Sequence, residues 1–197
     1  MAIPVHKDAS FTYGDYVEWT EGRFELIEGV VYDMSPAASV DHQRVSFALA
    51  REIDAFLDDA DGECEVFVAP FDVRLPDDDE DDDAVPTVVQ PDVVVVCDPE
   101  MIDDRGCRGA PDWVIEVLSP STATKDQMAE RLLYERHGVR EYWLVHPGDR
   151  TLTVYRPDAD GRYGAPDVTD AADTASTELF PGLEIDWSRV FDRVDAR

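Results

Sequence analysis

The chain is poor in lysine and cysteine and has no long apolar run. It holds two lysines, Lys7 and Lys125, and its 17 basic residues face 45 acidic ones, for a net charge of −28. Neutralising the phosphates of a nucleic acid needs many local Lys and Arg, so broad electrostatic adhesion to DNA is excluded as the way this chain works. Any nucleic-acid contact has to come from a locally basic cleft or be weak. The three cysteines, Cys64, Cys97 and Cys107, make neither an even set nor a CxxC pair. Neither a disulfide framework nor a thiolate zinc site is expected from them, and they read as small apolar fillers. No stretch approaches the roughly 18–20 uninterrupted apolar residues of a membrane span. The first residues, MAIPVHKDASF, lack the basic start and apolar stretch of a signal peptide. A soluble cytoplasmic protein with no membrane contact is expected.

What the chain has in excess is acid. At low ionic strength so many like charges oppose compaction, whereas concentrated salt screens them to about 3 Å at 1 M. The composition reads as halophilic, adapted to a high-salt cytoplasm; the other readings are an acidic mesophilic protein or a surface for basic partners. With 197 residues and 44% apolar content there is enough material for one α/β domain with a real core, residues 1–197.

Residues 11–22 look like a short helix, and RFELI with VVYDM forms a hairpin about a Glu28-Gly29 turn. From Ala38 to Asp58, the helical spacing of Val45, Leu49, Ile53 and Phe56 predicts a long amphipathic helix. ECEVFVAPFDVRLP alternates like a half-buried strand, and the acids of 77–84 form an exposed loop without the Gly-punctuated pattern of a calcium loop. TVVQPDVVVVCD and PDWVIEVLS are apolar enough to be central strands covered on both faces. SPSTATKDQMAERLLYERHG reads as a helix, with Thr124 and Gln127 as a capping box and Gly138 as its stop. EYWLVHP and TLTVYRP make a second hairpin, residues 158–178 are polar and irregular, and LFPGLEIDWSRVF gives a short strand and a last helical turn. The fold class is α/β (α+β), a central mixed β-sheet flanked by helices with an N-terminal β-hairpin.

Two acids stand out. Asp92 opens the VVVV run, and Glu116 sits inside WVIEVL, where an uncompensated carboxylate costs several kcal/mol or is forced to protonate. Carboxylates from adjacent core strands can share a divalent cation if their ends converge, since magnesium takes oxygen ligands and keeps several waters. Taken alone, Glu116 could equally be a buried acid paired with an arginine, or a strand end facing solvent.

The strings QPDVVVV, PDWVIEVLSPST and YERHGVREYWLVHP, with RFELIEGVVYDMSP, Asp41-His42 and the ending LFPGLEIDWSRVF, resemble the Uma family of restriction-endonuclease-like proteins. The resemblance covers most of the chain. That family is grouped with the PD-(D/E)XK nucleases, so the resemblance implies that Asp92 and Glu116 bind Mg²⁺ or Mn²⁺, with the Val117 carbonyl as third ligand. It implies hydrolysis of phosphodiester bonds, in DNA by expectation, and makes a homodimer plausible. Glu25 and His42 match a further family acid and a histidine at the start of the long helix. Each also has a bland reading, Glu25 as a charged residue on an exposed hairpin and His42 as a helix-start residue packing on it.

The departure lies at the lysine. Two residues after the glutamate, where the motif's lysine usually stands, the chain has Leu118. In the Uma pattern a lysine instead stands in the following helix, at the position held here by Glu130. Lys125 lies roughly 140° around the helix from Glu130 and can serve only if its stem reaches the cleft from the first turn; Arg131 is poorer because it stays protonated. A metal-dependent endonuclease is thus the leading expectation. The alternative is a catalytically impaired nuclease fold acting as a nucleic-acid-binding or protein-interaction module.

Overall fold

The computed structural model describes residues 3–6, 10–34, 38–60, 62–118 and 126–196, the side chains of 3–6 and 126–128 apart. Strand β1 (Ile3–His6) pairs antiparallel with β3 (Val30–Asp33), which closes a hairpin with β2 (Phe24–Ile27). The turn between them needs two left-handed residues and has them, Glu28 at φ 50 and Gly29 at φ 77. Before the hairpin, α1 (Tyr13–Tyr16) is a single turn, shorter than the helix expected over 11–22. The aromatic residues Phe11, Trp19 and Phe24 pack edge to face beside it, so side-chain packing rather than helix orders that segment.

Helix α2 (Val40–Asp59) begins where the Ser39 hydroxyl accepts the His42 N–H at 3.2 Å, and its Val45, Leu49 and Ile53 are fully buried. It leads to β4 (Glu65–Val68) and β5 (Val73–Arg74). The run TVVQPDVVVV, expected as one strand, is two: β6 (Val88–Val89) and β7 (Val93–Val96), in different sheets. Pro91 has no N–H to give a ladder, and the chain changes sheet there. After β8 (Ile102–Asp103) and β9 (Gly106–Arg108) comes β10 (Trp113–Val117), then α3 (Asp126–His137), which Gly138 ends in the left-handed region at φ 85. The Thr124 cap lies outside the described residues. Strands β11 (Glu141–His146) and β12 (Thr151–Tyr155) form the second hairpin. The polar stretch that followed contains β13 (Asp167–Asp170) and β14 (Thr174–Ser176), and the chain closes with β15 (Glu184–Asp186) and α4 (Trp187–Asp195).

The strands form a seven-stranded sheet, β1-β3-β2-β6-β5-β9-β8, a six-stranded sheet, β13-β12-β11-β10-β7-β4, and the pair β14-β15. In the six-stranded sheet β10 runs parallel to β11 and antiparallel to β7. Odd-numbered side chains of β7 and β10, such as Val95 and Ile115, pack with Val45 and Leu49 of α2 and Val190 of α4. Even-numbered ones, such as Val94 and Val114, pack with Leu133 and Tyr134 of α3. Coverage on both faces explains why β7 and β10 are almost wholly apolar.

One expectation is corrected. Cys64 and Cys97 are not independent fillers but a disulfide, because the β4–β7 ladder pairs Glu65 with Val96 and so sets Cys64 opposite Cys97. Cys107 alone is a free, buried thiol, and burial pushes it up to about 12. Within the acidic segment 77–84 most side chains are exposed, but Asp82 is drawn against the buried Arg74 at 2.6 Å and contacts Arg105 and Arg108.

Candidate metal centre

The β7–β10 ladder pairs Val93 with Ile115, so one further residue along it sets Asp92 opposite Glu116. There the ladder stops, and backbone groups turn to carboxylates instead. The Val117 N–H donates to Asp92 Oδ2 at 2.8 Å, and the Asp92 N–H reaches Glu116 Oε2 at 3.5 Å. Asp92 is the strongest charged influence on the Glu116 carboxyl.

Each is held by a second group. His42, from the first turn of α2, sets Nε2 3.0 Å from Asp92 Oδ2, and its Nδ1 lies 3.5 Å from the Ser46 hydroxyl. Tyr134, fully buried on α3, donates its hydroxyl to Glu116 Oε1 at 3.3 Å. Glu25 is also buried, at 5% exposure, and accepts the Gln90 N–H at 2.8 Å. Of the residues expected from sequence, the structure thus gathers Asp92, Glu116, Glu25 and His42 into one place, and the contact of Val117 with Asp92 is through its N–H. Lys125 lies outside the described residues.

Burial pushes the Glu116 carboxyl well above its usual range, and the charges of Asp92, Glu130 and Glu25 push it further. Glu130, one turn before Tyr134 on α3, therefore stands where its charge bears on Glu116. The strongest charged influences on this half-buried carboxyl are all acids, and such a group either keeps its proton or meets a cation. Oxygen donors of this kind suit a hard divalent ion that retains several waters. Among the described residues no group of three or more His, Cys, Asp and Glu side chains is arranged to hold a metal.

Sequence reading did not single out Tyr134, Ser46 or Gln90. Gln90 stood inside the QPD string; Tyr134 carried no local signal beyond its place on an amphipathic helix.

The profile of the Uma2 family, described as "Putative restriction endonuclease", matches residues 13–188. The chain belongs to the Uma2 family. A curated relative, the uncharacterized protein slr1290 of Synechocystis, is 27% identical over 151 residues, covering 75% of this chain and 74% of that protein. Among solved structures, a protein of Anabaena variabilis titled a "putative nuclease belonging to DUF820" superposes with a TM-score of 0.71 at 22% identity. That match covers 92% of this chain and 98% of the other, and it shows that this Uma2 protein shares the other's fold. In this Uma2 protein Glu116 lies on β10 and Asp92 immediately precedes β7, neighbouring strands of the six-stranded sheet.

Proposed function

We propose that the protein is a divalent-metal-dependent endonuclease that hydrolyses phosphodiester bonds in DNA, with Asp92 and Glu116 as metal ligands and the Val117 carbonyl as the third. The observation that carries this reading is the meeting of Asp92 and Glu116, from neighbouring strands of the six-stranded sheet, in surroundings whose charge is acidic. Mg²⁺ or Mn²⁺ bound there would polarise the phosphate and make a bound water acidic enough to attack it. The chain's own residues do the rest. The Val117 N–H and His42 fix the Asp92 carboxylate, and the Tyr134 hydroxyl fixes Glu116. Glu25 adds negative charge, and His42 is the imidazole positioned to exchange a proton beside Asp92. Lys125 is the lysine proposed to orient the attacking water. The acidic surface fits work in concentrated salt in a cytoplasm, and a homodimer would offer one site for each strand of a duplex.

Glu130 favours a second reading, a nuclease fold impaired in cleavage that binds nucleic acid or a protein. It places an acid where the family pattern has a lysine, and its charge opposes ionisation of Glu116. Both readings are tested by cleavage of plasmid DNA in molar KCl with Mn²⁺, together with Mn²⁺ binding by calorimetry. The nuclease reading expects cleavage by the wild type, with cleavage and Mn²⁺ binding lost in Asp92→Ala and Glu116→Ala. Mn²⁺ binding without cleavage, with cleavage gained in Glu130→Lys, supports the impaired reading. Absence of Mn²⁺ binding sinks the metal site altogether.

A further inference from the structure

Resting on the nuclease reading, we infer that Arg23 is a binding residue for a backbone phosphate of the nucleic acid, and that Gln90 is the positioning residue that aims it. The placement follows from strand geometry. Arg23 stands just before β2, two residues from Glu25 on the same extended stretch, so their side chains leave on the same side, and Gln90, whose N–H donates to Glu25 at 2.8 Å, leads through Pro91 to Asp92. The Arg23 carbonyl accepts the Met34 N–H at 2.9 Å, which continues the β2–β3 pairing past the strand end and steadies the Arg23 backbone.

Gln90 is oriented from behind. Its Nε2 donates to Asp72 Oδ1 at 2.8 Å and to the Tyr16 hydroxyl oxygen at 2.9 Å, while that hydroxyl donates to the same Asp72 oxygen at 2.9 Å. An ionised carboxylate only accepts, so the amide nitrogen must face Asp72 and the amide oxygen must face the other way. There Oε1 accepts Nε–H and Nη2–H of Arg23 at 3.2 and 2.9 Å. Two of the five guanidinium N–H donors are used, and three remain on an exposed side chain.

The tether is neutral, and that matters in a chain of net charge −28. Among the described residues, every arginine except Arg23 and Arg193 stands in an ion pair with Asp or Glu. Arg23 keeps its full charge within two residues of Glu25 and one side chain away from the Gln90-Pro91-Asp92 segment. A planar fork of donors, aimed by an amide and left uncancelled beside a candidate metal centre, suits a phosphate oxygen pair better than a water shell. It supplies the locally basic contact that the overall composition withholds.

The test is binding of a short fluorescein-labelled DNA duplex by anisotropy, in Ca²⁺ and across a range of KCl, with Mn²⁺ binding measured in parallel. Arg23→Ala is expected to weaken the duplex about tenfold, as for loss of one charged hydrogen-bonding partner. It should also lower the slope of log affinity against log salt by about one. Arg23→Lys should keep the slope and lose part of the affinity. Gln90→Leu should keep the slope and weaken binding, and Arg193→Ala should change neither. Mn²⁺ binding and melting temperature should stay those of the wild type in Arg23→Ala. A wild type that does not bind the duplex, an unchanged slope in Arg23→Ala, or an equal loss in Arg193→Ala overturns the proposal. Loss of Mn²⁺ binding in the wild type would instead strike at the metal centre and leave the Arg23 result to stand or fall separately.

Discussion

Glu116 is a carboxyl whose native surroundings favour the proton, through burial first and the charge of Asp92 next. The native chain therefore holds that proton more tightly than the unfolded chain does. The stability this gives is complete below the unfolded value, about 4.3, and is lost as pH rises through the raised native value. Metal-free protein should then melt at progressively lower temperature as pH climbs above about 5, and Glu116→Gln should flatten that decline by comparison. Calorimetric melts across pH with chelator present check this; parallel curves for the two proteins would contradict it. Asp92 and Glu116 were legible in the sequence because acids in apolar strands are conspicuous and because the family resemblance paired them; their register came only with the antiparallel β7–β10 ladder. The contacts of His42 and Tyr134 were not, because they depend on how α2 and α3 lie across the sheet, which no local pattern encodes.

At the level of elements, the segment around Asp72 depends on the approach of β9. Gly106 has φ 119, and a Cβ there would stand 2.2 Å from the Asp72 carbonyl oxygen, while the Cys107 N–H donates to that oxygen at 2.9 Å. Only glycine lets the two backbones meet so closely. Gly106→Ala should cost about 2 kcal/mol or more from backbone strain and displacement, seen as a fall of about 4–8 °C in melting temperature. A change within about 1 °C would mean that the strands separate without penalty. The hairpin, the long helix and the central strands were readable from periodicity and from turn residues. The division of TVVQPDVVVV into β6 and β7 was not read, although Pro91 marks it, because an apolar run looks the same whether it serves one sheet or two. The disulfide was missed for a related reason: Cys64 and Cys97 become neighbours only through the β4–β7 register.

For the whole molecule the governing quantity is charge. With 45 acidic residues and 17 basic ones, self-repulsion falls as ionic strength shortens the screening length from about 10 Å at 0.1 M to about 3 Å at 1 M. The melting temperature should rise steadily with KCl between those concentrations and should rise with NaCl as well; a flat or falling curve would remove the salt-adaptation reading. Many of the arginines are spent in holding acids to the body, as Arg74, Arg105 and Arg108 hold Asp82. The family and its fold were visible in the sequence as strings spread along most of the chain. The distribution of the few positive charges was not, since it is decided by which acid each arginine meets.

The chain crosses from one sheet to the other at Gln90-Pro91-Asp92, and the acids of the candidate centre are drawn from both sides of that crossing, Glu25 from the seven-stranded sheet and Asp92 with Glu116 from the edge and strand of the six-stranded one. The ligands proposed above all belong to the six-stranded sheet, and the seven-stranded sheet brings the charge of Glu25 against them. A cation held there would offset that charge across the joint, so loading of the site would also ease the docking of one sheet beside the other.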